Sequence, residues 1–158
     1  MDEILWCLTI KKGLEIIEPN DNLAQAYLLK AEEALETSRL AHSQDWQISA
    51  GYYTFYFSIY ALLQKIGIKC EIHKCTIAFT CKMLENYFSS EELNLFNRAF
   101  NLRNDAQYYT DRQIDVAIVS KILKSAPLFM IKCKDLINKI SQKEIAEIRE
   151  RIIHYQSK

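Results

Sequence analysis

The sequence predicts an all-α protein, and three observations carry that prediction. Its 158 residues include only three glycines and two prolines, whereas a chain with many hairpins needs more turn residues. Apolar side chains recur at intervals of three and four along most of the chain, which is the spacing of a helix face. The stretch 49–67 has no charge before Lys65 and is apolar on all sides, which is typical of a helix enclosed by others. We therefore expect an up-and-down bundle of four to five helices around this stretch.

The chain divides into a short arm, a bundle and an extension. Residues 1–20 form the arm, which is apolar around Trp6 and ends at a proline and an asparagine. Its local structure stays open between a strand and a helical turn. Residues 21–140 form the bundle, and residues 141–158 form a C-terminal helical extension.

The first two bundle helices have clear limits. Either Asn20 or Asp21 is a suitable N-cap for a helix that runs to about Ala41. A short connector then leads into the central helix, and short connectors favour antiparallel neighbours. The central helix carries four tyrosines and two phenylalanines, and Gly67 is its predicted C-terminal cap.

Two further helices follow the central one. Residues 68–73 are predicted to be a loop, and residues 74–87 a helix with an apolar face. Ser89 and Glu92 have the spacing of a capping box, which opens the next helix. That helix ends near Tyr108, where its apolar pattern stops.

The last helix is long and contains a proline. Asp111 is its predicted N-cap, and Pro127 is expected to kink it because proline removes an interior backbone hydrogen bond. Ser141 and Glu144 form a second capping box that restarts the helix. Residues 145–155 carry a narrow isoleucine stripe, which packs either on its own subunit or on a second copy.

Charge and hydropathy argue against several classes of protein. Formal net charge is zero, whereas proteins with general affinity for nucleic acid are usually basic. The longest uncharged run, 47–64, is interrupted by polar side chains, so we predict no membrane span. Asp2 and Glu3 are unlike the basic start of a signal peptide, and a cytoplasmic location is the expectation.

The five cysteines are expected to be free thiols. Their number is odd and no secretion signal accompanies them, so disulfides are not predicted. Cys70, His73 and Cys75 lie close together in sequence, but their spacing fits no standard zinc pair. We therefore predict neither a metal site nor a cofactor.

Polar side chains concentrate where the fourth bundle helix ends. The residues are Asn97, Arg98, Asn101, Arg103, Asn104, Asp105 and Gln107. Arginines interleaved with amides and followed by tyrosines could hold a phosphate or a base. The structural alternative is a helix C-terminus with a cation near its carbonyl groups, and an arginine tied to Asp105.

The order of these features resembles the HEPN superfamily, in particular its small prokaryotic branch encoded beside minimal nucleotidyltransferases. The matching residues are 24–27, 30–35, 50–53, 61–63, Gly67, His73, Phe79, Arg103, Ala106, Tyr108, Ala126 and Phe129. The resemblance implies a helical bundle that forms a homodimer and brings two copies of its motif together. Many members are ribonucleases, and some are toxins silenced by a partner nucleotidyltransferase.

The family motif is matched only in its first half. Its signature is an arginine, a polar residue and a histidine four to six positions after the arginine. Arg103 and Asn104 match the beginning, whereas Tyr108 occupies the histidine position. Histidine is suited to proton transfer near neutral pH, while a tyrosine hydroxyl ordinarily holds its proton there. Tyr108 could instead orient a substrate or be the hydroxyl that a partner enzyme modifies.

Three functional hypotheses remain open. The first is a homodimeric interaction module with weak or no catalysis, acting with a minimal nucleotidyltransferase in a toxin–antitoxin-like pair. The second is a metal-independent RNase that uses Arg103 and Asn104. The third is a nucleotide-binding module lined by Arg103 and the tyrosines. His73 is expected to cap a helix or, in the dimer, to approach Arg103.

Overall fold

The computed structural model describes residues 2–108, 111 and 113–157. Within those residues the chain forms seven helices and one two-stranded antiparallel sheet. The elements are α1 (Glu3–Thr9), β1 (Glu15–Ile16), α2 (Asp21–Leu40), α3 (Gln44–Ile66), β2 (Ile68–Lys69), α4 (His73–Met83), α5 (Ser90–Tyr108), α6 (Val116–Lys139) and α7 (Gln142–Gln156). The predicted all-α helical bundle is confirmed.

Helix α3 is the centre of the bundle, as its composition predicts. It packs against α2, α5 and α6, and its side chains at Tyr52, Phe55 and Ile59 are fully buried. A helix surrounded by others has no polar face to present to water, which explains its long uncharged run. Gly67 ends it in the left-handed conformation with φ +85°, a conformation that glycine adopts without steric cost.

The predicted caps of three helices are present. Asn20 Oδ1 accepts a hydrogen bond from the Leu23 amide at 2.9 Å, so Asn20 rather than Asp21 is the N-cap of α2. Ser89 and Glu92 exchange the two bonds of a capping box at the start of α5. Ser141 and Glu144 do the same at α7. These bonds satisfy amide groups that a helix start leaves without intrahelical partners.

The prediction that Asp111 caps α6 is wrong. The helix begins at Val116, and Asp115 Oδ1 accepts from the Ala117 amide at 2.9 Å. Ile114 lies at helical spacing from the later isoleucines, but it precedes the helix and packs against the small cluster containing Val119. That contact has the positions of a hydrophobic staple, which places an apolar side chain before the N-cap.

The prediction that all cysteines are free is also wrong. Cys7 of α1 and Cys75 of α4 form a disulfide whose Cα atoms lie 5.6 Å apart. Both residues are fully buried where α1 packs on α4. Cys70, Cys81 and Cys133 are free. An odd number of cysteines does not exclude a disulfide, and this pairing follows from the long-range contact between α1 and α4, which cysteine spacing does not encode.

The regions flanking α3 are more ordered than predicted. Residues 68–73 include β2, which pairs with β1 of the arm in the register Glu15–Lys69 and Ile16–Ile68. The arm also contains α1. Helix α4 ends at Met83, before the predicted end at residue 87, and Tyr87 closes a turn by donating its amide to the Leu84 carbonyl.

The C-terminal part completes the same core. Helix α6 is continuous through Pro127, and the predicted kink there stays a prediction. Ile145, Ile148 and Ile152 of α7 are buried in the main cluster, so the isoleucine stripe packs on its own chain. Among the described residues, no helix is both long and apolar enough to cross a membrane.

Candidate functional site

The candidate site lies where α3, α4 and α5 meet. Arg103 of α5 donates from Nη2 to the Tyr53 hydroxyl at 2.7 Å and from Nη1 to Asn104 Oδ1 at 3.0 Å. Its guanidinium carbon lies 5.8 Å from the Tyr52 ring centre and 5.3 Å from that of Tyr53. These distances fit cation–π contact with both rings. We call Tyr52, Tyr53, His73, Arg103 and Asn104 the Arg103 cluster.

His73 joins this cluster from the first residue of α4. Its Nδ1 lies 2.7 Å from the Tyr52 hydroxyl, and its ring stacks on Tyr56 with centroids 4.1 Å apart. Sequence reasoning expected an approach to Arg103 only across a dimer, whereas the structure brings His73 into the same cluster within one chain. Helix α4 makes this possible because α1, the Cys7–Cys75 bridge and α5 hold it against α3.

Burial keeps the aromatic and imidazole groups neutral. Burial raises the pKa of Tyr52, with the neighbouring Tyr56 adding to the effect and Arg103 opposing it. Burial, together with the nearby Arg103 charge, lowers the pKa of His73 to about 4. At neutral pH the Tyr52 hydroxyl can therefore donate to Nδ1 of an uncharged His73, which leaves the imidazole proton on Nε2.

Arg103 keeps unused hydrogen-bonding capacity. Its Nε is buried and donates to no acceptor among the residues that the structure describes. The side chain as a whole is half-buried, so the guanidinium is not closed off from solvent. A guanidinium held flat by two partners presents a fixed fork, the geometry that suits binding of phosphate or carboxylate.

The other predicted residues separate from Arg103. Asn104 belongs to the cluster, but Tyr108 is the last residue of α5 and is 73% exposed. Asn97 and Asn101 line a cleft of about 740 Å³ between α4 and α5. Arg98 is exposed on α5. Tyr109 lies outside the described residues.

The sequence favours core packing for the tyrosines of α3, Tyr52 and Tyr53 among them, and leaves a hydroxyl that lines a site as the alternative. Their positions in an apolar helix predict packing in the core, and the Tyr52 side chain is fully buried there, at 0% exposure. Their hydroxyl groups and rings contact His73 and Arg103, which are distant in sequence, so no local pattern predicts these contacts. The zinc interpretation of Cys70, His73 and Cys75 does not apply here because Cys75 is bonded to Cys7 and His73 contacts Tyr52.

The depressed pKa of His73 predicts a loss of stability in mild acid. Between pH ~6.5 and pH ~4 the His73 ring of the unfolded chain binds a proton that the folded chain does not. The free energy of unfolding is therefore unaffected by His73 above pH ~6.5 and decreases as the pH falls toward ~4. Because the ring is partly exposed, solvent screening reduces the expected loss to about 1–2 kcal/mol. Urea unfolding of the wild type and His73→Gln across that window measures it, since glutamine does not titrate.

The matched control is His42→Gln, because His42 is exposed on the connector between α2 and α3. We expect His73→Gln to flatten the pH dependence of the unfolding free energy and His42→Gln to keep the wild-type slope. Equal slopes in all three proteins would show that His73 titrates alike in the folded and unfolded chain, contrary to its burial beside Arg103.

The chain is distantly similar to a known archaeal protein. No protein-family model matches the chain. A UPF0332 protein of Archaeoglobus fulgidus is 29% identical over 92 residues, which cover 58% of this chain and 74% of the archaeal protein. The name of that relative states no activity, so it assigns no role to the Arg103 cluster. The resemblance to the HEPN superfamily stays a prediction.

Proposed function

We propose that the chain is a HEPN-type helical module that forms a homodimer and acts with a minimal nucleotidyltransferase in a toxin–antitoxin-like pair. Its own catalysis is weak or absent, and a cytoplasmic location belongs to the same proposal. The observation that carries the proposal is the position of Tyr108. This residue replaces the motif histidine and projects from the end of α5 at 73% exposure, where a partner enzyme can reach its hydroxyl.

The geometry of the Arg103 cluster supports the part of the proposal that gives the chain little or no catalytic activity. Two of the guanidinium nitrogens are already bonded to Tyr53 and Asn104 within the chain. His73 is uncharged at neutral pH because its pKa is lowered to about 4, so it cannot act as a general acid there. A cluster of this kind favours binding and positioning over proton transfer.

The proposal predicts that the partner modifies Tyr108. In the reaction, the tyrosine oxygen attacks the α-phosphorus of a nucleoside triphosphate, pyrophosphate leaves, and the hydroxyl proton passes to solvent or a base. Incubation with ATP and any minimal nucleotidyltransferase encoded beside this gene should add one nucleotide to the wild-type chain, as read by intact-mass spectrometry. Tyr108→Phe should block the addition because phenylalanine has no hydroxyl.

Tyr109→Phe is the neighbouring control, and it should still gain the nucleotide. Peptide mapping that places the nucleotide on a tyrosine other than Tyr108 would transfer the acceptor role to that tyrosine. An unchanged mass of the wild-type chain after incubation with ATP and the nucleotidyltransferase would contradict the proposed modification.

A second candidate is a metal-independent RNase, and the position of His73 is the observation that favours it. The cluster places a histidine from α4 beside Arg103 and Asn104, although the motif position holds Tyr108. In this case Arg103 would stabilise the scissile phosphate, and His73 would accept a proton at Nδ1 after the Tyr52 hydroxyl turns away from that nitrogen. Apposition across a two-fold axis would supply two arginines to one site.

A further inference from the structure

The Cys7–Cys75 disulfide secures a helix that has few other attachments. Helix α1 contains seven residues, and an isolated helix of that length is unstable in water. Its main neighbours are α4 and α7. Its buried side chains are Ile4 and Cys7, so little apolar surface holds α1 in place without the covalent bond.

The same bridge lies at the His73 end of α4. His73 is the first residue of this helix and Cys75 is the third. The N-cap residue Ile72 offers no side-chain hydrogen bond to the amides of the first turn, which usually receive one. Helix α4 also packs more extensively on α1 than on α3 or α5. The position of the first turn of α4 therefore depends strongly on α1.

A shift of that turn would act on the Arg103 cluster. Nδ1 of His73 lies 2.7 Å from the Tyr52 hydroxyl, and a hydrogen bond of this kind is lost once the two atoms separate by more than about 3.2 Å. Further along α4, Phe79 and Met83 are buried in the main cluster of the core. These two side chains anchor the second half of α4, so the first turn can loosen while the bundle stays folded.

We propose that Cys7 and Cys75 form a redox switch that controls the Arg103 cluster. In the oxidised chain the bridge keeps α1 on α4 and His73 against Tyr52. In the reduced chain α1 leaves α4, while pairing between β1 and β2 keeps the rest of the arm on the bundle. The first turn of α4 then loosens, and the Tyr52 hydroxyl loses its imidazole partner. The proposal goes beyond the proposed function because it requires neither a nucleotidyltransferase nor catalysis.

The reductant is a dithiol, and the reaction takes two exchange steps. A thiolate of the dithiol attacks one sulfur of the bridge, the bond between the two cysteine sulfurs breaks, and the other cysteine leaves as a thiolate that takes up a proton. The second thiol of the reductant then resolves the mixed disulfide. The dithiol is oxidised to a disulfide, and both cysteines become thiols. Because both cysteines are fully buried, the attack requires a transient opening between α1 and α4.

Tryptophan fluorescence follows the release of α1. The chain contains two tryptophans, so in Trp46→Phe all the indole emission comes from Trp6, which precedes Cys7. Lys74 Nζ of α4 lies 5.7 Å from the centre of the Trp6 ring, so the emission reports whether α1 lies on α4. Dithiothreitol should shift the emission to longer wavelength, because the ring is 37% exposed on α1 and would become fully hydrated.

NMR titration of His73 follows the cluster itself, and its imidazole signal is the one missing in His73→Gln. In the oxidised chain the pKa of His73 is lowered to about 4 by burial and by Arg103. In the reduced chain this pKa should rise toward ~6.5, the value of a hydrated imidazole. Titration of thiols in denaturant verifies the redox state: the oxidised chain should show the three free cysteines and the reduced chain all five.

Cys7→Ala has no bridge, so it should give the spectra of the reduced chain both with and without dithiothreitol. Alanine preserves most of the apolar character of the buried thiol. Cys81→Ser is the matched control, because Cys81 is a free thiol of the same helix. It should respond to dithiothreitol as the wild type does.

Four results would overturn the proposal. Five titratable thiols in a chain purified under air would show that the bridge does not form. Three thiols after dithiothreitol treatment of the folded chain would show that the bridge cannot be reduced there. An unchanged Trp6 emission or His73 pKa in the reduced chain would make the bridge purely structural. A loss of helical circular dichroism on reduction would mean that the bridge maintains the whole bundle rather than this site.

Discussion

Replacing Cys7 and Cys75 together by serine should lower the free energy of unfolding by about 4 kcal/mol. The bridge closes a loop across a sequence separation of 68 residues and ties α1 to α4. In the chain-entropy account, a crosslink stabilises mainly by restricting the unfolded chain, and long loops gain most. Guanidinium unfolding of the oxidised wild type and the double variant measures the difference.

Cys81→Ser is the matched control, since Cys81 is a free and exposed thiol of the same helix. It should keep the wild-type stability. A reductant should destabilise the wild type and Cys81→Ser alike and leave the double variant unchanged. A double variant within 1 kcal/mol of the oxidised wild type would mean that the bridge contributes little, and that packing between α1 and α4 suffices.

Any RNA cleavage by the wild-type chain should fall by about 100-fold or more in Arg103→Ala. Removing one preorganised group that stabilises charge in a transition state has effects of this size. Arg103 is the one positively charged side chain of the Arg103 cluster, and its hydrogen bonds with Tyr53 and Asn104 hold it in place. Cleavage of a labelled single-stranded RNA in the presence of a chelator is the measurement.

Arg98→Ala supplies the comparison, because Arg98 is an exposed arginine five residues earlier on α5. It should retain cleavage within a few-fold. His73→Gln separates the two roles of the cluster: it should reduce kcat and change the pH profile if His73 accepts a proton, and it should leave both unchanged if His73 only packs. A wild type that never cleaves RNA would eliminate the RNase candidate and leave the interaction module.

Local patterns predicted the parts of the fold that local interactions determine. The uncharged stretch of α3, its Gly67 end and the two Ser–Glu capping boxes each depend on residues within a few positions of one another. Their geometry follows from helix periodicity and from the amide groups that a helix start leaves free. The predicted start of α6 at Asp111 was wrong because Ile114 has the spacing of a helical residue. In the structure Ile114 precedes the N-cap Asp115 and packs as a hydrophobic staple.

The site could be predicted only in part because long-range packing assembles it. Arg103 and Tyr53 are 50 residues apart in sequence, and Tyr52 and His73 are 21 apart. Periodicity shows that a tyrosine is buried, but it does not show which hydroxyl meets which cation. The polar residue types near the end of α5 identified Arg103 and Asn104. The contact of His73 with Tyr52 and the Cys7–Cys75 disulfide could not be predicted in this way, because both depend on how α1 and α4 pack in the folded chain.

The central claim is that this chain works as one member of a pair with a minimal nucleotidyltransferase. Its most direct test is to purify the chain with and without any minimal nucleotidyltransferase encoded beside its gene, and to determine mass by light scattering. We predict a homodimer for the chain alone and a stable mixed complex when both proteins are present. A homodimer whose mass does not change in the presence of the nucleotidyltransferase would contradict the claim.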